Sequence, residues 1–165
     1  MDKIADKIEI YGKMIKFSHT VFALPFALSA VVMAWQDHRP SMVQLIWILL
    51  AMVGARSAAM GFNRVVDADI DLKNARTAMR EIPSGLLSKK ESVIFIIASG
   101  LLFVFSAAML SKLCFYLSFP VLAFLCFYSY TKRFTRYCHI YLGVAIGLAP
   151  TGAWIAITGT VTWSV

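Results

Sequence analysis

Residues 56–85 read RSAAMGFNRVVDADIDLKNARTAMREIPSG and decide how the rest of the chain is understood. The stretch follows an apolar run and holds Asn63, Asp67, Asp69 and Asp71 among several arginines. At 100° per residue, Asp67 and Asp71 lie one helical turn apart and only ~40° apart around the axis. Asn63 is one turn earlier on the same face, and Arg56, seven residues before it, returns to within ~20°. Asp69 falls ~200° away and faces elsewhere. One face therefore carries an arginine, an amide oxygen and two carboxylates in line. Two such carboxylates repel unless a cation lies between them. Hard oxygen ligands that leave most of the coordination shell to water and phosphate suit Mg²⁺, so Asn63, Asp67 and Asp71 are the candidate metal ligands. A solvated, salt-bridged helix end is the bland alternative. Ionisable groups so close to a hydrophobic span are expensive, which favours a functional role.

The hydrophobic fraction is 59% and mean hydropathy is +0.72. Both exceed the range of an ordinary soluble domain and indicate an integral membrane protein. The net charge of +7 would suggest nucleic acid in a soluble chain. Here the charges are confined between apolar runs, which points instead to membrane topology and anionic ligands, with no nucleic-acid partner. Cys114, Cys126 and Cys138 form no CxxC pair and read as small apolar packing residues. The first residues mix Asp, Glu and Lys without an A-x-A site, so no cleavable signal peptide is expected.

The fold expected is an all-α polytopic transmembrane helical bundle of about five spans, at 17–35, 42–62, 92–110, 113–130 and 140–157. Residues 1–16 read as an interfacial helix lying on the membrane or as a frayed charged tail. Charged loops are expected at 63–91 and 131–139. Gly54, Ala55, Ser57, Ala58, Ala59 and Gly61 permit close helix packing in the second span. Arg56 inside that span is expected to face the bundle interior or to snorkel to the interface. The N-terminal segment, the connection with Arg56 and the 131–139 loop carry fourteen of the sixteen Lys and Arg residues; Arg39 and Lys112 are the others. This bias puts the N-terminus and both charged loops in the cytoplasm. His19 reads as a helix-end histidine or a polar contact near Lys16.

The series N-x-x-x-D-x-x-x-D, R-T-x-x-R and P-S-G, at Asn63, Asp67, Asp71, Arg76, Thr77, Arg80, Pro83, Ser84 and Gly85, resembles the first acidic motif of the UbiA family of intramembrane aromatic prenyltransferases. Tyr128, Lys132 and Arg133 resemble that family's Y-x-x-x-K element. His139, Gly143, Gly147, Ala149 and Pro150 resemble the stretch that opens its next span. The run KFSHTVFALPFAL at 16–28 is similar to the N-terminus of members linked to bacterial quinone synthesis.

The resemblance implies a prenyltransferase of a bacterial inner membrane. It would join a polyprenyl diphosphate to an aromatic acid, 4-hydroxybenzoate or a dihydroxynaphthoate, in ubiquinone or menaquinone synthesis. Asp67 and Asp71 would be catalytic and hold Mg²⁺, with Arg76, Arg80, Tyr128, Lys132 and Arg133 near the diphosphate. Arg56 or Lys16 would meet the acceptor's carboxylate. Glu81-Ile82 stands where many hydroxybenzoate members have Pro-Leu, which leans toward the naphthoate branch. The resemblance covers only the N-terminal half of a roughly nine-span family fold with a second acidic motif. Residues 92–165 contain no Asp or Glu. The 165-residue chain is thus expected to be a partial domain, inactive alone. The other reading is a non-catalytic small membrane protein, or a half-protein needing a partner chain for the missing C-terminal half. A five-span transporter is disfavoured because the carboxylates lie at the edge of a span and not at its middle.

Overall fold

A computed structural model describes residues 3–16, 24–35 and 38–161. Among these residues the chain is wholly helical outside its turns: α1 (Lys3–Met14), α2 (Leu24–Ala34), α3 (Met42–Asp71), α4 (Lys89–Leu110), α5 (Lys112–Phe134) and α6 (Cys138–Thr158). Helices α3 to α6 are each long and apolar enough to cross a membrane. The 11 residues of α2 extend only ~16 Å against a ~30 Å hydrocarbon core. The remainder of the expected first span, 17–23, lies outside the described residues, as does His19.

The starts of the spanning helices are written in local chemistry. Ser41 caps α3 by accepting from the Gln44 amide at 3.2 Å, and Gln44 Oε1 accepts from the Ser41 amide at 2.9 Å. Ser88 and Glu91 repeat this reciprocal box at the start of α4. Ser111 alone separates α4 from α5, and its hydroxyl accepts from the Cys114 amide at 3.0 Å. Gly159, at φ 69°, closes α6 in the left-handed conformation that glycine adopts without strain.

Two boundaries differ from the sequence expectation. The apolar run ends at Phe62, but α3 continues to Asp71, so the expected 63–91 loop is helix in its first nine residues and again from Lys89. No proline or glycine lies between Asn63 and Asp71, and charge by itself does not end a helix. Likewise α5 runs to Phe134 and α6 begins at Cys138, leaving 135–137 between them where 131–139 was expected. At 30 residues α3 is ~45 Å long, more than a ~30 Å hydrocarbon core requires, and its acidic end follows the apolar run.

Helix α3 packs along α4 through its small residues, as their pattern predicts. A Cβ on Gly54 would stand 2.8 Å from the backbone nitrogen of Phe103 and 2.9 Å from the carbonyl of Ser99, so the two backbones approach as only glycine allows. Ala27, Ala30, Val31, Ala34, Ala153 and Ile157 join α2 to α6 in one buried cluster. Large apolar side chains such as Ile94, Leu101, Phe119, Phe127, Ile140 and Ile146 stay exposed, as surfaces that face lipid do.

Helix α1 packs against the other helices. Tyr11 stacks on Phe95 of α4 at 4.9 Å between ring centroids, and Lys7 pairs with Glu91 at 2.8 Å. Met14 and Ile15 are buried with Ala68 of α3 and with Ile82 and Leu87 of the 72–88 connection. Tyr11, Met14 and Ile15 thus pack on the protein, whereas Ile8 stays exposed. The three cysteines are free and partly buried, in keeping with a packing role.

Candidate functional site

The last turns of α3 carry the acids. Asp67 and Asp71 are each 6% exposed, whereas the side chain of Asp69 is 83% exposed and pairs with the surface Lys89, at 2.8 Å. The helical-face arithmetic therefore separates the buried pair from the solvated residue between them. Burial of two carboxylates is costly unless cations compensate. Arg80 donates to Asp71 Oδ2 at 2.7 Å. Lys132 pairs with Asp67 Oδ2, and Arg133 reaches Asp67 Oδ1 at 3.5 Å. Arg133 is held by the Val66 carbonyl at 2.9 Å and lies over the Tyr130 ring at 5.7 Å. Asn63 completes the group. With its amide oriented to satisfy both neighbours, Nδ2 donates to Asp67 Oδ2 at 3.2 Å and Oδ1 accepts from Lys132 at 3.0 Å.

The 72–88 connection brings in the remaining cations and is a chain of hydrogen-bonded turns. The amides of Asn74, Thr77, Arg80 and Ser84 donate to the carbonyls of Asp71, Asn74, Thr77 and Arg80 in succession, at 2.9–3.2 Å. The Thr77 hydroxyl donates to the Asp71 carbonyl at 3.0 Å and ties the connection to the end of α3. Gly85, at φ 79°, makes the final reversal toward α4. The result is a cleft of about 340 Å³ lined by Asp67, Ile70, Asp71, Asn74, Arg76, Thr77, Arg80, Lys132 and Arg133.

Of the residues singled out from the sequence, the structure gathers Asp67, Asp71, Arg76, Arg80, Lys132 and Arg133 around this cleft, with Asn63 behind Asp67. Two do not line it. Tyr128 packs beside Tyr141, 6.1 Å between ring centroids. Arg56 is half-buried farther back on α3, and its Nε is buried with no hydrogen-bond partner among the described residues. Sequence reasoning missed Arg64, which is 6% exposed and donates through Nε to the Met14 carbonyl at 3.1 Å. Its spacing of seven residues before Asp71 places it ~20° from that acid, a signal present in the sequence. The contact to Met14, fifty residues away, was not.

The donor set suits Mg²⁺. Two carboxylates open into one cleft with an amide oxygen nearby, and among the described residues no group of three or more His, Cys, Asp or Glu side chains forms a closed cage. Mg²⁺ keeps several waters and takes one or two carboxylates plus substrate phosphate, which this cleft can accommodate. The surrounding Arg and Lys side chains are donors for a polyanion, with arginine able to make bidentate contacts.

The fold and site together define a polytopic helical membrane protein with a charged, two-carboxylate cleft at one end of its bundle. The UbiA prenyltransferase family profile matches residues 23–165, and the chain belongs to that family. A 4-hydroxybenzoate octaprenyltransferase of Shewanella woodyi is 30% identical over 161 residues, covering 96% of this chain and 56% of that protein. A protoheme IX farnesyltransferase of Synechocystis sp. is 32% identical over 131 residues, 78% of this chain and 42% of that protein. Among solved structures, a UbiA homolog from Aeropyrum pernix in its apo form superposes with a TM-score of 0.81 at 33% identity, covering 86% of this chain and 51% of that one. A UbiA homolog from Archaeoglobus fulgidus bound to GPP and Mg²⁺ shares the fold, with a TM-score of 0.75 at 20% identity over 92% of this chain and 54% of that one. The chain spans about half the length of the curated relatives it matches.

Proposed function

We propose that this chain forms the first diphosphate-binding half of a membrane prenyltransferase that moves a polyprenyl group from its diphosphate to an aromatic acid. The observation that carries the reading is the buried, co-facial pair Asp67 and Asp71, ringed by Arg76, Arg80, Lys132 and Arg133 around one cleft. The acceptor would be 4-hydroxybenzoate or a dihydroxynaphthoate, in ubiquinone or menaquinone synthesis, and the site would face the cytoplasm at a bacterial inner membrane. Support for an aromatic acid comes from the relatives named 4-hydroxybenzoate octaprenyltransferase and from Arg56, whose partly unpartnered guanidinium sits inside a span where an anionic acceptor would satisfy it.

Mg²⁺, when bound, neutralises charge on the departing diphosphate. Asp67 and Asp71 would hold it, with Asn63 orienting Asp67. Arg80 and Lys132 would turn from the carboxylates toward phosphate oxygens, and Arg76 and Arg133 would take the remaining charge. In the whole enzyme an apolar bundle would exclude water from the allylic cation formed when the C–O bond breaks and the diphosphate leaves with the bonding pair. Residues 92–165 hold no carboxylate side chain, so the second acidic motif that the family resemblance implies would lie outside these residues. The reading is therefore a chain that binds its diphosphate and does not turn it over unaided.

The test is calorimetry of the purified chain in nanodiscs with geranyl diphosphate, with and without Mg²⁺, followed by product analysis with both acceptors. Mg²⁺-dependent binding without product is expected. Absence of Mg²⁺-dependent binding would overturn the site. Product at enzymatic rates with no added chain would overturn the need for a second acidic motif.

A further inference from the structure

Arg64 is a buried charge in an unusual position. It lies on the acid-bearing face of α3, ~20° from Asp71 and ~60° from Asp67 around the axis. Its guanidinium interacts electrostatically with Asp67, Asp71, Glu81 and Arg80. Yet its hydrogen bond is not to any of these: Nε donates to the main-chain carbonyl of Met14, at the last turn of α1. Carbonyls at a helix C-terminus lack intrahelical partners and carry the negative end of the helix dipole, so a cation is favoured there. Lys16, two residues on, has a left-handed backbone at φ 50°.

What α1 sits on makes the contact consequential. Met14 is fully buried and Ile15 is 6% exposed. They share a cluster with Ile82 and Leu87, the apolar residues on the far limb of the connection that carries Arg76, Thr77 and Arg80 into the cleft. The connection has few other apolar anchors: Leu72, Met79 and Leu86 are all exposed. The end of α1 is thus the floor on which the connection rests, and Arg64 pins that floor to the helix bearing the acids.

We propose that Arg64 and Met14 are positioning residues: by locking the end of α1 under the 72–88 connection, they set where Arg76 and Arg80 stand relative to Asp67 and Asp71. This rests on the diphosphate-site reading for its functional consequence, but the coupling itself is a property of the folded chain. It implies that α1, which contributes no side chain to the cleft, governs diphosphate affinity.

The experiment uses the full 165-residue chain in nanodiscs and two readouts: amide hydrogen exchange of residues 3–14 and 72–88, and Mg²⁺-dependent binding of geranyl diphosphate. Arg64→Met and Met14→Ala should each speed exchange in both segments. Each should weaken binding about tenfold, the low end of what losing an outer supporting contact costs a metal site. The double variant should be little worse than either single one, because both break the same support. Met14→Leu, which keeps the apolar volume, should restore wild-type behaviour in both readouts. Weaker binding in Arg64→Met with exchange unchanged would make Arg64 a direct diphosphate ligand and overturn the proposal. Faster exchange confined to 3–14, with 72–88 unaffected, would also overturn it. If the wild type fails to bind diphosphate, the function reading falls, while the exchange of 72–88 in the two variants still decides the coupling.

Discussion

Gly54→Ala tests how the acid-bearing helix is held. The added Cβ would stand 2.8 Å from the Phe103 amide nitrogen, 2.9 Å from the Ser99 carbonyl oxygen and 3.1 Å from the Phe103 Cα. All three are backbone atoms of α4, so no side chain can swing away. Ordinary contact begins near ~3.5 Å, and α3 and α4 must part locally by about half an ångström or more. Overpacking of this kind costs about 1–3 kcal/mol. Separation of the helices also shifts the end of α3, ~20 Å along its axis at Asp67, relative to Lys132 on α5. The assay is denaturant titration of the chain in mild detergent, with Gly143→Ala as control. Nothing lies within 4 Å of a Cβ at Gly143, where alanine should gain up to about 1 kcal/mol from helix propensity. Equal stability of the two variants would refute the close α3–α4 approach.

Three further outcomes are expected. Lys132→Met should leave the 9%-exposed Asp67 side chain with the Asn63 amide at 3.2 Å and, as its cation, Arg133 at 3.5 Å, and cost about 2 kcal/mol of stability, and pairing it with Asp67→Asn should recover most of that loss in the same titration. The hydrogen bond and charge of Glu91 raise the pKa of Lys7 above 10.5, so, while Glu91 is ionised, this surface pair supports α1 fully below that pH and loses its effect as pH rises through the raised value; a nitroxide at Ile8→Cys should gain mobility over that range in the wild-type background and show a flat response with Glu91→Gln. Reporter fusions after Lys90 and Arg136 should both give cytoplasmic signals and one after Lys112 a signal from the far side, whereas a far-side signal at Lys90 would separate the cleft from its substrate.

The candidate site was legible in the sequence where helical periodicity governed it. Asp67 and Asp71 were separated from Asp69 by arithmetic alone, because the helix runs unbroken through them. Its boundaries were less legible, since hydropathy marks where lipid ends and α3 continues past that point to Asp71. The grouping of Lys132 and Arg133 with Asp67 came from resemblance, because no local rule places α5 beside α3. The docking of α1 was hidden for a different reason. Its apolar residues read as membrane-facing, and only tertiary packing could reveal that Met14 and Ile15 are buried under a connection some seventy residues later. Arg64 shows both limits: its face was computable, its partner was not.

The most direct measurement is Mg²⁺-dependent binding of geranyl diphosphate to Asp67→Asn, Asp69→Asn and Asp71→Asn in nanodiscs, side by side with the wild-type chain. Asp67→Asn and Asp71→Asn should abolish the Mg²⁺-dependent component, and Asp69→Asn should keep it, since Asp69 is solvated and pairs with the surface Lys89. Equal losses in all three variants, or retention in all three, would contradict the claim that one buried face of α3 holds the metal and the diphosphate.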